Sequence, residues 1–178
     1  MAVTVWMTGL SGAGKSTLAS AVAEALVGNG QSARVLDGDA LRGGINADLG
    51  FDARGRSESA RRMCAIASLF AEAGTVACVA MISPHVADRV RARECHAGLG
   101  LPFVEVHVAT PLNVCLGRDE KRIYERGRRG EIRDVAGLDF AYEVSETPDV
   151  VVRPDLEPIE GMVEAVLDAV RAASGVEL

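Results

Sequence analysis

The residue run best suited to chemistry lies near the start of the chain. Residues 9–16 read GLSGAGKS and fit the pattern GxxxxGK[ST]. The backbone N–H groups of such a glycine-rich run can surround phosphate oxygens, while its lysine, Lys15, reaches the β- and γ-phosphates of a nucleotide. The hydroxyl of Ser16 can bind Mg²⁺. The run predicts a nucleoside triphosphate site, with a purely structural glycine turn as the alternative.

Two carboxylates supply a second chemical group. Asp37 and Asp39, separated by one glycine, follow a short apolar segment. One could hold Mg²⁺ through water while the other accepts the proton of an attacking hydroxyl. Acidic residues also cap helices and form turns, so a structural role stays open. The chain has no NKxD-type motif for guanine recognition, which argues against a GTPase. The aspartate pair favours a small-molecule kinase.

Alternating strands and helices must position these residues. Apolar, β-prone segments occur at 3–8, 34–36, 75–82, 103–109 and 150–152. Helical periodicity begins at Lys15, 57, about 84, Pro111 and Ile159. This alternation is typical of a three-layer α/β sandwich with a mainly parallel sheet of about five strands, whose ligands bind beyond the C-terminal strand ends. We predict one domain over residues 1–178.

Composition and charge exclude several classes of protein. The chain has 178 residues, 48% apolar and 25% charged, as a folded globular domain does. Its net charge of −6 argues against a general nucleic-acid or membrane-surface binder, and predicts a small-molecule partner. The N-terminus lacks the features of a secretion signal, which predicts a cytoplasmic protein. The cysteines form no CxxC pair and fall on segments predicted to be buried, so we expect reduced thiols: Cys64, Cys78, Cys95 and Cys115.

Basic residues cluster between positions 118 and 133. Seven of the 19 basic residues fall in this segment, including Lys121, which with Lys15 makes up the lysines of the chain. Acidic neighbours dilute the positive charge. A solvated charged helix and a mobile anion-binding lid both fit the pattern.

Further motifs carry a resemblance to a known family. After GLSGAGKSTLA the chain reads LDGDALRGGINADLGF, SARRMCAIASLFAEAG, ISP followed by Asp88-Arg89, FVEVHVATPLNVCLGRD and YERGRRGEI. Over about residues 3–153 it resembles adenylylsulfate kinase (APS kinase). The resemblance implies a P-loop kinase fold, ATP and Mg²⁺ as cofactors, and phosphorylation of the 3′-hydroxyl of adenosine 5′-phosphosulfate (APS) to give PAPS, the activated sulfate donor. Kinases that resemble this chain are commonly dimers, so a homodimer stays open.

The resemblance also implies roles for individual residues. The catalytic residues would be Lys15, Asp37, Asp39 and Arg118, with Ser16 and Asp39 binding the metal. An Arg-rich lid over about residues 118–140 would cover the phosphoryl group and exclude water. ATP would be bound by Gly9, Ser11, Gly12, Ala13, Gly14, Lys15, Ser16, Thr17 and Lys121. The acceptor would be bound by Asp39, Arg42, Asn46, Phe51, Arg56, Ser59, Ile82, Ser83 and Leu138.

Two of these acceptor-side residues have competing roles. Phe51 could stack on adenine, but a phenylalanine after glycine is as often a core residue. Ser83 takes the position of the family's phosphoserine intermediate. A role as a pocket wall is simpler, because a positioned acceptor hydroxyl needs no relay.

Several acceptor-side positions depart from the family pattern. Ala40 replaces the asparagine of the family's DGDN motif, and His85 and Val86 replace the phenylalanine and arginine of its ISPFRxDR motif. Val135 stands where the family has an aromatic residue that forms a wall of the pocket. Phe140, five positions on, could supply that ring. Each lost contact would weaken APS binding by roughly 1–3 kcal/mol. Two alternatives follow: a related kinase for another small hydroxylated or nucleotide-like acceptor, and a nucleotide-binding module without transfer activity.

Overall fold

The computed structural model describes residues 2–175 as a five-stranded sheet between two layers of helices. The strands are β1 (Thr4–Thr8), β2 (Ala33–Asp37), β3 (Val76–Ala80), β4 (Phe103–Val108) and β5 (Val150–Val152). The helices are α1 (Lys15–Gly28), α2 (Gly38–Arg42), α3 (Ala53–Glu72), α4 (Val86–Gly98), α5 (Leu112–Arg118), α6 (Ile123–Arg128) and α7 (Ile159–Ser174).

The sheet is parallel throughout, with strand order β2-β3-β1-β4-β5. Every residue of β1 and β3 is buried, which explains why their sequences are nearly continuous apolar runs. The predicted fold class is confirmed. Because all the strands run the same way, the glycine-rich loop after β1 and the aspartates at the end of β2 meet at one edge of the sheet.

The two sheet faces carry separate apolar cores, since successive strand side chains point in opposite directions. On one face Val5 and Met7 share a core with α1 and α7. On the other face the fully buried Trp6 packs with residues of α3 and α4, its ring 5.9 Å from the ring of Phe103. Both layers therefore fix β1, the strand that leads into the glycine-rich loop.

Helix α3 begins at Ala53, a turn earlier than the apolar periodicity predicts. Asp52 caps it, because its Oδ1 accepts a hydrogen bond of 2.7 Å from the amide N–H of Gly55. The first turn has polar and small residues, so it lacks the periodic apolar pattern. This extra turn carries Arg56 to the edge of the sheet where the strands end.

Three of the four cysteines are buried as expected, but Cys95 is exposed on α4, so that expectation was wrong for this residue. All four are free thiols. Within residues 2–175, every helix is too short or too polar to cross a membrane.

Candidate active site

The glycine-rich run forms a tight loop between β1 and α1. Gly9 has φ +150°, and a Cβ there would lie 2.5 Å from the carbonyl oxygen of Val108. Gly14, with φ +105°, precedes the first residue of α1. Only glycine fits these two positions without strain. The loop therefore presents its backbone N–H groups and the positive end of the helix dipole to one cleft.

Lys15 is buried at the base of this loop and donates a hydrogen bond of 2.7 Å to the carbonyl oxygen of Leu10. Burial lowers the pKa of Lys15 to about 8, although the negative charge of Asp39 opposes the shift. The ammonium has three donors, so two remain for phosphate oxygens. The glycine-rich loop thus holds the Lys15 side chain in place.

The Asp37 carboxylate makes two contacts, one of which is the helix cap that its sequence position allowed. Its Oδ1 accepts a hydrogen bond of 2.8 Å from the amide N–H of Asp39, which caps α2. Its Oδ2 accepts a hydrogen bond of 2.6 Å from the Ser16 hydroxyl. Asp37 is therefore the last residue of β2, the cap of α2 and a hydrogen-bond partner of the glycine-rich loop.

Asp39 faces the basic segment across the cleft. Its Oδ2 accepts a hydrogen bond from the ammonium of Lys121, and this contact raises the pKa of Lys121. From the end of α5, Arg118 reaches the phosphate loop, donating a hydrogen bond of 3.2 Å to the carbonyl oxygen of Gly12. Lys121 and Arg118 thus lie along one side of the cleft, and the role of their segment as a lid stays a prediction.

The other end of the cleft holds two arginines and an aromatic ring. The Phe51 side chain is 54% exposed, so it is not a core residue, and the guanidinium of Arg42 lies 4.3 Å from its ring centre. Arg56 donates a hydrogen bond of 2.5 Å to the carbonyl oxygen of Asp134. Burial, and then the nearby charge of Arg42, lower the pKa of Arg56. Two neighbouring guanidinium groups suit a sulfate or phosphate group.

Two residues that line this end of the cleft each have a buried polar atom without a hydrogen-bond partner among the described residues: Arg56, at Nε, and Ser83, at Oγ. Buried polar groups in proteins are nearly always paired. Both residues line the cleft, so their free donors mark where a polar ligand would bind.

Most residues predicted from sequence come together in this cleft of about 500 Å³. Those that line it are Ser11, Gly12, Gly14, Lys15, Ser16, Thr17, Asp37, Asp39, Arg42, Phe51, Arg56, Ser59, Ile82, Ser83, Arg118 and Lys121. Those outside its lining are Gly9, Ala13, Asn46 and Leu138. Asn46 lies one layer behind, where its amide donates a hydrogen bond of 2.9 Å to the Ser59 hydroxyl.

The missing aromatic wall is not replaced by Phe140. Val135 lines the cleft, whereas Phe140 is not among the lining residues and its ring stacks on the ring of His85, 5.6 Å away. Its ring centre is 5.6 Å from the Arg56 guanidinium, close enough for a cation–π contact.

The cleft also contains residues that the sequence did not single out as site residues. They include Ile123, Arg126, Ile132, Arg133 and Asp134. Arg126 and Arg133 belong to the basic cluster, so its charge pattern was the available signal. The apolar pair Ile123 and Ile132 carries no chemical signature and becomes visible only when the segment folds over the cleft.

Comparison with known proteins places the chain in a family. The family model described as adenylylsulphate kinase matches residues 1–153. Adenylyl-sulfate kinase from Paraburkholderia xenovorans is 48% identical over 163 residues, covering 92% of this chain and 89% of that protein. The enzyme of that name from Aeromonas hydrophila is 45% identical over 167 residues, covering 94% and 84%.

A solved structure gives the same result. The Mycobacterium tuberculosis APS kinase CysC in complex with AMPPNP and APS superposes with a TM-score of 0.92 at 44% identity, covering 96% of this chain and 98% of that one. The protein therefore belongs to the adenylylsulphate kinase family.

Proposed function

We propose that the protein transfers the γ-phosphoryl group of ATP to the 3′-hydroxyl of APS, releasing ADP and PAPS. The observation that carries this proposal is the order of groups along one cleft. A phosphate loop lies at one end, two aspartates follow, and two guanidinium groups with an exposed aromatic ring lie at the other end. Relatives that share 45–48% of their residues with this chain are adenylyl-sulfate kinases, which supports the same reaction.

The phosphate end would hold ATP through backbone N–H groups of the loop and the ammonium of Lys15. Ser16 and Asp37 would hold Mg²⁺, because a hydroxyl and a carboxylate are hard oxygen ligands and their oxygens lie 2.6 Å apart. Held there, Mg²⁺ would supply positive charge that neutralises the phosphate oxygens of ATP. A metal role for Asp39 stays a prediction, since its carboxylate is paired with Lys121.

Asp39 would receive the proton of the attacking alcohol. A bond forms between the 3′-oxygen of the acceptor and the γ-phosphorus, the bond from that phosphorus to the bridging oxygen of ADP breaks, and the hydroxyl proton passes to the Asp39 carboxylate. In the free protein the Asp39 carboxylate is paired with the ammonium of Lys121. With ATP bound, Lys121 and Arg118 would turn to the phosphoryl oxygens, where cations stabilise developing charge.

The acceptor end would hold APS by its charge and its base. Arg42 and Arg56 suit the phosphosulfate, because a guanidinium donates two parallel hydrogen bonds to such oxygens. The exposed face of Phe51 offers a stacking surface for adenine. Because Val135 stands where the family pattern has a second aromatic residue, the base would have one aromatic wall. The basic segment over the cleft would exclude water from the transfer.

A coupled assay tests the proposal. Purified protein with ATP and Mg²⁺ is expected to release ADP only when APS is added, and to form PAPS in equal amount. Asp39→Asn is the matched control, because it keeps the shape of the side chain and removes its basic oxygen. ADP release with another hydroxylated metabolite but not with APS would support the related-kinase alternative, for which Val135 is the specific observation. Nucleotide binding that no acceptor converts to turnover would support a binding module.

Location and assembly stay predictions. The free thiols of the chain agree with a reducing compartment such as the cytoplasm, and APS kinases include the hexameric enzyme of Thiobacillus denitrificans. Sedimentation of the purified protein would establish the number of subunits.

A further inference from the structure

Ser83 holds an unusual backbone conformation in the acceptor wall. It follows β3 and has φ +42°, in the left-handed region that residues other than glycine rarely adopt. The residue is 2% exposed, and its hydroxyl has no partner within residues 2–175 although it lines the cleft. Such strained positions persist only where surrounding contacts impose them, and they concentrate at functional sites.

A buried arginine supplies those contacts. Arg89 on α4 is fully buried, and its Nη1 donates a hydrogen bond of 2.6 Å to the carbonyl oxygen of Ser83. The Thr8 hydroxyl donates to the preceding carbonyl oxygen, that of Ile82, at 2.7 Å. The carbonyl groups of two successive residues are therefore held by hydrogen bonds, and this sets the direction of the Ser83 side chain.

The remaining donors of Arg89 bind a second segment, residues 143–145, close to Ser83. Its Nε donates to Glu105 Oε1 at 3.0 Å, which neutralises the buried charge. Its Nη2 donates at 2.5 Å to the carbonyl oxygen of Glu143 and at 3.0 Å to the hydroxyl of Ser145. A lysine beside Glu105 would balance the charge equally well, but only the forked guanidinium spans all these acceptors.

This second segment also forms hydrogen bonds with the loop after Ser83. The Glu143 amide N–H donates to the carbonyl oxygen of Pro84 at 3.0 Å, and its carboxylate accepts from the amide N–H of Val86 at 2.8 Å. The loop after β3 and the segment after the lid are therefore joined to each other and to one guanidinium.

We propose that Arg89 is a positioning residue for the acceptor: it holds the Ser83 carbonyl, imposes the left-handed turn, and so aims the Ser83 hydroxyl at a polar group of the substrate. The statement that this substrate is APS rests on the function proposed above. Arg89 itself does not line the cleft, so it acts through Ser83.

A double-mutant cycle tests this coupling. Arg89→Lys is expected to raise the KM for APS by about tenfold in the wild-type background but by less than about twofold in a Ser83→Ala background, with the KM for ATP unchanged in both. Arg93→Lys is the matched control, because Arg93 lies one turn further along α4 and also faces Glu105, at 3.8 Å, but touches no part of the cleft. Equal effects of Arg89→Lys in both backgrounds, or an equal loss of ATP affinity, would overturn the proposal.

Two measurements test the hold of Arg89 on Ser83 independently of the substrate. A crystal structure of Arg89→Lys is expected to show Ser83 relaxed to negative φ, and a retained positive φ would overturn the proposal. With Arg89 intact, Ser83→Gly is expected to melt about 2–4 °C above Ser83→Ala, because glycine adopts this turn without strain. An equal or lower melting temperature would likewise contradict a strained Ser83. Absence of APS turnover by the wild-type protein would overturn the proposed function alone.

Discussion

Raising the pH above 8 is expected to weaken nucleotide binding, because Lys15 then loses its proton in the free protein. Burial lowers the pKa of Lys15 to about 8. A bound triphosphate surrounds the ammonium with negative oxygens, so the pKa in the complex lies well above that of the free protein. The protonated fraction of free Lys15 falls from about 0.76 at pH 7.5 to about 0.09 at pH 9, so the dissociation constant should rise about eightfold.

Calorimetry with a non-hydrolysable ATP analogue, in the absence of acceptor, measures this effect directly. Titrations in two buffers of different ionisation enthalpy give the protons taken up on binding, expected at about 0.24 per site at pH 7.5 and about 0.9 at pH 9. At pH 9 the terminal phosphate of the analogue is ionised, and Asp39 raises the pKa of Lys121, so neither contributes to the proton uptake at that pH. A dissociation constant that is flat to pH 9, without proton uptake, would refute the reasoning about buried Lys15.

Four substitutions probe other parts of the cleft. Asp39→Asn should lower kcat by about 10²–10⁴-fold with nucleotide affinity within about twofold; normal turnover would remove Asp39 from proton transfer. Lys121→Met should lower kcat by about 10²-fold, yet barely move the urea midpoint, because the two side chains of its ion pair are 59% and 70% exposed; a large loss of stability would contradict this. Phe51→Ala should raise the KM for APS about tenfold or more and leave that for ATP unchanged, and equal effects on both would exclude stacking on the acceptor base. Gly9→Ala should lower the melting temperature by several degrees, since its Cβ would lie 2.5 Å from the Val108 oxygen; calorimetric melting at the wild-type temperature would show that the loop adjusts freely.

The phosphate end of the site was predictable because its groups are local in sequence. Residues 9–16 contain the loop, the lysine and the hydroxyl together, and the direction of the strands brings Asp37 beside Ser16. The five strands were predictable for a related reason, since buried parallel strands are continuous apolar runs.

The rest of the site depends on contacts between distant segments. The pairing of Lys121 with Asp39 joins residues 82 positions apart, and no local pattern specifies it. The left-handed turn at Ser83 is imposed by Arg89 and Thr8 rather than by the residue type. Phe140 was a reasonable replacement for the missing ring by spacing alone, but its ring stacks on His85 and it is not among the residues that line the cleft.

The most direct test of the proposed function follows the label from ATP carrying ³²P at its γ-phosphate. With APS present, we expect the label to appear in PAPS as a 3′-phosphate that a 3′-nucleotidase removes, and Asp39→Asn to slow its appearance by about 10²–10⁴-fold. Label released only as inorganic phosphate, or transferred to a different position or molecule, would contradict the claim that this cleft aims the phosphoryl group at the 3′-hydroxyl of APS.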